Sequence, residues 1–391
     1  MRPLAGLTVV ALEHAIAAPF CTRQLADLGA RVIKVERPGS GDFARAYDQR
    51  VRGQASHFLW CNRSKESMTL DLKHAQARAI LEQLVDRADV LVQNLAPGAA
   101  ERLGLGFDAL SARHERLIVC DISGYGPDGP YRDRKAYDLL VQGEAGVLAV
   151  TGTDAAPAKC GIPVADIAAG MYAYSSILAA LLERGRTGRG RRIEISMLEA
   201  LCEWMGYPLY YAFDGASPPP RGGAEHATIF PYGPFAAGDG ATVMLGLQNE
   251  REWAAFCTDV LRAPELAQDE RFATNARRHE ARAVLRPLIE AAFAALPAAE
   301  VVARLDAAGI AHAQVNAIAD VWRHPQLAAR GRWTSVDSPA GAIPALLPPG
   351  ERPGDARMDP IPALGAHTDA ILAELGYAVD AIASLRHAGA I

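Results

Sequence analysis

An aspartate stands at the beginning of the most apolar helical stretch in the sequence. Asp166 lies in the run CGIPVADIAAGMYAYSSILAALL, immediately before a predicted helix over about 167–183. Amide groups and the dipole at the beginning of a helix keep a carboxylate ionised and can hold negative charge that develops beside it. An ionised carboxylate is a nucleophile, so Asp166 could take up an acyl group. The structural alternative, which position alone favours and which is compatible with the first, is a helix N-cap.

A glycine-rich run and two His-Glu pairs are weaker signals. Residues 124–129, GYGPDG, have the spacing of a dinucleotide-binding loop and follow a predicted strand. The third glycine of that fingerprint should lie inside an opening helix, whereas Pro130 and a polar run follow here, so we expect a loop. His114-Glu115 and His279-Glu280 each lack a second histidine four residues on, and no metal site is expected.

Short β-rich runs alternate with helical patterns through the first half of the chain. This alternation implies right-handed βαβ units and a mostly parallel sheet. The predicted strands are LTVVALE, ARVIKVE, SMTLDL, DVLVQN, RLIVCDI and RRIEIS. Several basic residues lie near the ends of these strands, where open α/β sheets bind ligands, although each one individually would be interpreted as solvated surface. They are Lys34, Arg37, Arg45, Lys73, Arg102 and Lys135.

Composition excludes several classes of protein. The chain has 391 residues, is 50% hydrophobic and 22% charged, and has a formal net charge of -5. The negative balance argues against nucleic acid as a partner, so an anionic ligand must be met by local positive charge. Six scattered cysteines without CxxC pairs indicate reduced thiols. The N-terminus lacks the cleavage region of a signal peptide and the apolar stretch 167–182 is short for a membrane span, so we expect a cytoplasmic protein without a membrane partner.

Proline and glycine mark a division of the chain. In SPPPRGG, residues 217–223, three prolines stiffen the backbone and two glycines let it turn. We predict a large α/β domain over 1–216, a linker over 217–225 and a smaller α/β domain over 226–330. Residues 331–391 would form a return linker and a C-terminal part of the large domain.

Five runs and the tail form an ordered pattern that spans nearly the whole chain. They are AAPFCTRQLADLGARVIKVERPGSGDFAR, NRSKESMTLDLK, DVLVQNLAPGAAERLG, GYGPDGPYRDRKAYDLLVQGEAG, TGRGRRIEISMLEA and PALGAHTDAILAELGY. This pattern resembles the family III CoA-transferases, which include formyl-CoA transferase and carnitine CoA-transferase. The resemblance implies a Rossmann-like large domain with a parallel sheet, and a homodimer in which two chains interlock as rings. It also implies small-molecule acyl-CoA and carboxylate substrates, with coenzyme A as co-substrate and no metal.

The same resemblance assigns site residues. The family's catalytic aspartate, which lies where a G-x-x-x-x-D stretch meets the long helix, falls on Asp166, and Ile16, Ala17 and Tyr137 match positions in the substrate pocket. The implied mechanism is covalent, through an aspartyl anhydride and then an aspartyl-CoA thioester. The positions that match CoA contacts of relatives are Arg37, Leu70, Asp71, Leu72, Lys73, Asn94, Leu95, Arg102 and Lys135.

Three alternatives within the superfamily concern the reaction or the substrates. The racemase branch of the superfamily, which resembles α-methylacyl-CoA racemase, has G-H-D where this chain has Ala136-Tyr137-Asp138, and tyrosine is a poor α-proton base at neutral pH. Formyl-CoA:oxalate enzymes have a glutamine at the position of Ile16 and a glycine-rich loop where this chain has only Gly222-Gly223. PYGPF and LQNEREW look more like members that use succinyl-CoA and C4 or C5 dicarboxylates such as itaconate, mesaconate, malate or citramalate. Arg45 and Arg251 are candidate partners for a second carboxylate.

Overall fold

The computed structural model describes residues 1–391 and divides into two compact units. The first unit contains three segments of the chain, and the second contains two. The segments of the first unit are Met1–Val147, Cys160–Gly206 and Gln326–Ile391, and those of the second are Leu148–Lys159 and Tyr207–Pro325. The predicted linker 217–225 falls within the second unit, and the domain boundaries expected from the sequence stay a prediction.

A six-stranded sheet in the first unit has parallel pairing throughout, which confirms the predicted α/β class. Its spatial order is β3-β2-β1-β4-β5-β6. The strands are β1 (Thr8–Leu12), β2 (Arg31–Glu36), β3 (Glu66–Thr69), β4 (Val90–Gln93), β5 (Ile118–Ser123) and β6 (Arg192–Ser196). The chain order reverses between β1 and β4, so the loops after these two strands diverge and leave a crevice at the carboxyl edge of the sheet.

Helices connect these strands and continue through both units. The first ten helices along the chain are α1 (Ala17–Asp27), α2 (Ser56–Cys61), α3 (Ala75–Val85), α4 (Ala99–Arg102), α5 (Phe107–Ser111), α6 (Asp138–Glu144), α7 (Val147–Val150), α8 (Val164–Thr187), α9 (Met197–Trp204) and α10 (Gly206–Tyr211). The remaining helices are α11 (Glu250–Ala255), α12 (Asn275–Glu280), α13 (Arg282–Ala294), α14 (Ala298–Ala307), α15 (Ile318–Val321), α16 (Pro325–Ala329), α17 (Thr368–Glu374) and α18 (Val379–His387). The glycine-rich run 124–129 lies in the loop after β5, as predicted.

The second unit contains a small antiparallel sheet of β7 (Tyr232–Ala236), β8 (Thr242–Gly246) and β9 (Ala311–Gln314), in that order. Large buried side chains, among them Trp253, Phe256 and Phe293, form its core between the sheet and the helices α11, α13 and α14. The sequence predicted β8 and β9 but missed β7. It also missed the hairpin of β10 (Trp333–Val336) and β11 (Ile343–Leu346) in the first unit, because both strands are short and a proline interrupts the apolar pattern of β11.

Helix α8 is longer than the sequence predicted and, by length and composition, could cross a membrane. One such helix is weak evidence for a membrane span, because the core helix of a soluble protein can have the same length and composition. In this structure α8 packs on α1 and α9. Its Arg184 is buried and pairs with Asp89 at 3.0 Å, as expected of a helix packed within a protein.

The C-terminal helices α17 and α18 join the core beneath β3. The Thr69 amide donates a hydrogen bond to the Thr368 hydroxyl at 3.0 Å, and Leu372 packs among the side chains of α3 and the sheet. This arrangement buries the apolar face of α17 fully.

Leu372→Ala should therefore lower the free energy of unfolding by about 2–4 kcal/mol, because it leaves a cavity in a packed core. Leu372 is 0% exposed, whereas Val379 in α18 is 81% exposed. Val379→Ala is the matched control and should change stability by less than about 0.5 kcal/mol. Urea unfolding followed by circular dichroism measures both, and equal effects would contradict the packing of α17.

Candidate functional site

Helix α8 approaches the beginning of α1 unusually closely at Gly170. A Cβ atom built on Gly170 would lie 2.7 Å from the backbone oxygen of Ala17 and 3.0 Å from the Phe20 ring. No other residue fits without moving the backbone, so glycine at this position permits the contact. As a result, the first turn of α8 lies beside the loop that follows β1.

Asp166 lies in the first turn of α8 and not before the helix, so the interpretation of Asp166 as an N-cap is wrong. The N-cap residue is Pro163, which has no side-chain oxygen to offer. Asp138 supplies the missing acceptor, because its Oδ1 accepts a hydrogen bond from the Ala165 amide at 2.9 Å. Gln142 fixes Asp138 in turn by donating to Oδ2 at 2.7 Å. Asp138 thus performs the capping role and leaves the Asp166 carboxylate available.

The surroundings of Asp166 raise the pKa of its carboxyl group to about 7. Burial is the largest cause, and the negative charge of Asp138 acts in the same direction. The backbone amide of Ala17 opposes both by hydrogen bonding to the carboxylate, which lowers the pKa. Asp166 is still partly accessible to solvent. A carboxyl group in this setting changes its charge near neutral pH, which is typical of functional sites.

One tyrosine, Tyr47, lies close enough to this carboxylate to sense its charge, and a second, Tyr137, lies close to Tyr47. Tyr137 precedes α6 and is 66% exposed, and its role in the substrate pocket stays a prediction. The sequence did not indicate Tyr47, whose pKa is raised by burial and by the charges of Asp42, Asp166 and Tyr137. Its ring meets His57 edge-on at 5.7 Å. Only the fold brings Tyr47, 119 positions away by the residue numbers, close enough to sense Asp166.

Ile16 and Ala17, which the sequence assigned to the substrate pocket, are almost fully buried. Ile16 is 3% exposed and is the N-cap residue of α1. Their apolar side chains pack inward, so the group that this segment presents to Asp166 is the backbone amide of Ala17.

The residues predicted to contact CoA lie in the segments that follow four strands of the parallel sheet. Arg37 follows β2, Leu70–Lys73 follow β3, Asn94 and Leu95 follow β4, and Lys135 lies in the loop after β5. Arg102 ends α4 and is exposed, as are Arg37, Lys73 and Lys135. Four exposed cations therefore lie in the segments that follow the carboxyl ends of the strands, and such point charges suit phosphate groups.

Two of the predicted contacts have restricted side chains. Leu70 is 2% exposed and belongs to the core, so it can offer only its backbone to a ligand. The side-chain amide of Asn94 is committed to His14: its Oδ1 accepts from the His14 amide, and its Nδ2 donates to the His14 carbonyl, both at 2.9 Å.

A cleft of about 450 Å³ opens at the carboxyl ends of β4 and β5, and Arg192 and Glu194 from the first half of β6 also line it. Leu95, Pro97 and Ser123 contribute to its wall. A chain of polar contacts crosses its floor, from Gln93 to Asp121 at 2.9 Å and from Arg192 to Asp121 at 2.9 Å.

Lys34 and Arg45 are not solvated surface residues. Lys34 is fully buried and pairs with Asp42 and Glu13. Arg45 donates to both oxygens of Glu36, at 2.8 and 2.7 Å, and its guanidinium stacks on Phe58 at 3.7 Å. Its fork is therefore already occupied, which leaves Arg45 a weak candidate for a second substrate carboxylate. Arg251 lies exposed in α11 of the second unit.

Comparison with known proteins identifies the family. The sequence model of CoA-transferase family III matches residues 4–368. The chain belongs to CoA-transferase family III. It is therefore a CoA-transferase that uses acyl-CoA as a co-substrate, and the resemblance seen in the sequence is confirmed.

Individual relatives of this CoA-transferase are similar along most of their length. Succinyl-CoA:glutarate CoA-transferase of Mus musculus is 34% identical over 397 residues, covering 100% of this chain and 91% of the relative. Acetyl-CoA:oxalate CoA-transferase of Acetobacter aceti is 36% identical over 364 residues, with 91% and 93% covered. The crystal structure of a CAIB/BAIF family protein from Brucella suis matches with a TM-score of 0.83 at 36% identity, covering 96% of this chain and 99% of that one.

The activity of this CoA-transferase should fall as the pH is lowered through about 7 if the reaction needs Asp166 ionised. Asp138→Asn removes a negative neighbour, which lowers the pKa of Asp166, so the acidic limb of kcat/KM should move down by about 0.5–1 pH unit. Glu144→Gln, at the other end of α6, is the control and should leave the limb in place. An acidic limb that Asp138→Asn does not move would contradict this account of the site's electrostatics.

Proposed function

We propose that the protein transfers CoA from an acyl-CoA to a carboxylic acid through a covalent adduct on Asp166. One observation carries the proposal: in a family III CoA-transferase, a partly accessible carboxylate with a raised pKa lies at the beginning of a helix and faces a backbone amide. Helix-terminal amides and the Ala17 amide would stabilise both the carboxylate and an oxyanion formed next to it.

The proposed reaction consists of balanced exchanges. An oxygen of the Asp166 carboxylate attacks the thioester carbon of the donor, the C–S bond breaks, and CoA leaves as the thiolate. The thiolate then attacks the Asp166 side-chain carbonyl of the resulting anhydride and releases the donor's carboxylate, which leaves an aspartyl-CoA thioester. In the second half of the reaction the acceptor carboxylate attacks the aspartyl-CoA thioester, which releases the CoA thiolate and forms a new anhydride. The thiolate then attacks the acceptor's carbonyl, which gives the product acyl-CoA and frees the Asp166 carboxylate, so the free energy of the thioester is retained. Exclusion of water protects both intermediates from hydrolysis.

Exposed cations in the segments after the strands support the proposal that the protein binds CoA. Arg37 and Lys73 are exposed just after β2 and β3, Arg102 is exposed at the end of α4, and Lys135 is exposed in the loop between β5 and α6. We propose that these residues meet the phosphates of CoA, while Leu70–Leu72 and Leu95 contribute backbone and apolar contacts. Charged groups in the diphosphate and 3′-phosphate would otherwise be repelled by a protein of net charge -5.

Trapping of the intermediate tests the covalent step. The protein incubated with succinyl-CoA and then with hydroxylamine should yield an Asp166 hydroxamate in the peptide mass spectrum, because hydroxylamine captures activated acyl groups. Asp166→Asn should lower kcat/KM by at least about a thousandfold. Asp108→Asn is a matched control, because Asp108 is an exposed acidic residue in the first turn of α5. An active Asp166→Asn variant without adduct would overturn the proposal.

The free energy of unfolding of Asp166→Asn distinguishes a nucleophilic role of Asp166 from a role as a helix cap. The carboxyl group of Asp166 has a higher pKa in the folded protein than in the unfolded chain. Ionisation of Asp166 therefore begins to lower the free energy of unfolding once the pH exceeds the unfolded-state pKa, and the full loss is reached above about pH 7. Asp166→Asn should therefore raise the free energy of unfolding at pH 8 by about 1–2 kcal/mol after allowance for partial exposure. Loss of a helix cap would instead lower it by about 1 kcal/mol.

For the substrates we propose succinyl-CoA as donor and a C4 or C5 dicarboxylate as acceptor. The similarity to the mouse succinyl-CoA:glutarate enzyme over the whole chain supports this choice. Oxalate is the second candidate acceptor, because the Acetobacter aceti relative is an acetyl-CoA:oxalate enzyme. The buried apolar side chain of Ile16 offers no hydrogen bond to oxalate, which favours the longer acids.

A panel of acceptors decides between them. With succinyl-CoA as donor, glutarate, itaconate, mesaconate, malate and citramalate should include an acceptor whose kcat/KM exceeds that of oxalate by at least about tenfold. The reverse order would show that oxalate is the acceptor. A 2-methylacyl-CoA incubated in deuterium oxide should gain no label at the α-carbon, and rapid exchange would favour the racemase alternative.

We also propose that the chain forms the interlocked homodimer of its family. The segment from α9 through the residues after α10 exposes several large apolar side chains, which a second copy would cover. These are Trp204, Tyr207, Leu209, Tyr210, Tyr211 and Phe213. Light scattering at equilibrium should give the mass of two chains.

A further inference from the structure

A fully buried ionic network lies at the carboxyl ends of β1 and β2. Glu13 Oε1 is 2.6 Å from the Lys65 ammonium and 3.3 Å from that of Lys34, and its Oε2 accepts from the Thr22 hydroxyl at 2.6 Å. Lys34 also pairs with Asp42 at 2.8 Å. Two acids and two lysines thus neutralise each other away from water. Such a network is costly to bury, so its position needs an explanation.

The network is bonded to the backbone of the loop after β1. The Ala15 amide donates to Asp42 Oδ1 at 3.0 Å. The same oxygen accepts from the Ala44 amide at 2.9 Å, which orients the Asp42 side chain. Asn94 holds the preceding residue, His14, by its amide and its carbonyl. The loop is therefore fixed at two consecutive residues before it enters α1 at Ala17.

Ala15 adopts a backbone conformation that alanine avoids. Its φ is +61°, in the left-handed region, where the Cβ atom crowds the following carbonyl. Glycine would adopt this φ without strain, whereas alanine keeps it only where neighbouring contacts impose it. The contact that Ala15 itself makes is the hydrogen bond to Asp42.

We infer that Asp42 is a positioning residue, which together with Lys34 holds Ala15 in its left-handed conformation and so directs the Ala17 amide toward Asp166. Ala17 lies two residues beyond Ala15, so a change of φ at Ala15 would turn the amide away from the carboxylate. This inference rests on the proposed role of Asp166. The inference goes beyond that role, because it names the buried ion pair of Asp42 and Lys34 as the cause of the orientation of the Ala17 amide.

Electrostatics keep Asp42 charged over the range in which Asp166 titrates. Burial alone would raise the pKa of Asp42, but the Lys34 ammonium and hydrogen bonds hold it well below its usual range. Three other ionisable groups lie near Asp42. The Nδ1 atom of His14 is 3.8 Å away while its ring stacks on Phe43, the Asp42 amide donates to Glu36 Oε1 at 3.0 Å, and Tyr47 is close enough for the Asp42 charge to raise its pKa. Burial lowers the pKa of Lys65 to about 8, so pH profiles below about pH 7 leave most of the Lys65 ammonium protonated.

Asp42→Asn is the first test variant. Asparagine keeps the size of the side chain but lacks the charge that pairs with Lys34, and it accepts the Ala15 hydrogen bond more weakly. We expect kcat to fall about tenfold while KM for acyl-CoA changes less than about twofold. The acidic limb of kcat should move to higher pH, because Asp166 loses the amide that lowers its pKa.

A second substitution separates positioning from a general structural role. Ala15→Gly in the Asp42→Asn background should restore kcat at least about threefold and return the acidic limb toward its original pH, because glycine needs no partner to adopt a positive φ. A variant that only loosened the fold would gain nothing from a more flexible residue. Failure of the glycine to rescue kcat would overturn the inference.

Ala15→Val tests the same idea without touching the network. A β-branched residue strongly disfavours the left-handed region, and Ala15 is partly exposed, so the larger side chain has room. We expect the same loss of kcat and the same upward movement of the acidic limb. Wild-type kcat and pH profile in both Asp42→Asn and Ala15→Val would overturn the inference.

Asp27→Asn is the matched control. Asp27 is also a buried carboxylate between two cations of the first unit, Arg23 and Arg63, at 3.2 and 2.7 Å. Its substitution should lower stability but leave kcat and the acidic limb unchanged. If Asp166→Asn is active, the proposed function itself fails. If Asp166→Asn is inactive and the adduct forms, yet Asp42→Asn is fully active, only the positioning role fails.

Discussion

The central constraint on this protein is that a carboxylate must carry charge where the surroundings penalise charge. Asp166 reacts as proposed only when ionised, but burial and the neighbouring Asp138 both favour its protonated form. The protein offsets this penalty with dipoles and not with a full positive charge. The first turn of α8 supplies its own helix dipole, and the close approach of α8 to α1 at Gly170 brings the Ala17 amide to the carboxylate. A lysine in that position would hold the carboxylate ionised but would also make it a poorer nucleophile.

The buried network around Glu13 and Lys34 is understandable as part of the same requirement. Apolar residues of similar volume would contribute as much or more to stability. What an ionic network adds is direction, because hydrogen bonds to Asp42 and Asn94 fix individual backbone groups of the loop after β1. Amides that are already oriented before substrate arrives need no reorganisation when charge develops, which is the basis of electrostatic catalysis in enzymes.

The alternation of strands and helices was sufficient to predict the parallel sheet, because apolar runs of strand length are a local signal. Local signals also placed Asp166 within one turn of its true position. They could not reveal Asp138 as the cap of α8 or Tyr47 as a neighbour of Asp166, since these contacts join residues far apart in the chain. Lys34 was misinterpreted for a related reason. A lysine in a strand is usually exposed, and only the folded structure brings two acids to its ammonium group.

The pocket that disfavours charge on Asp166 treats its acylated form differently. The anhydride or thioester linkage at the Asp166 carbonyl is itself uncharged, so the repulsion between this side chain and Asp138 and the cost of dehydrating the Asp166 anion disappear once the acyl group or CoA is attached. If Asp166 carries the acyl group, the empty enzyme is the strained partner in each exchange and the loaded enzyme is the relaxed one. Part of the free energy needed to form the anhydride or thioester on Asp166 is thus already stored in the folded chain before any substrate binds.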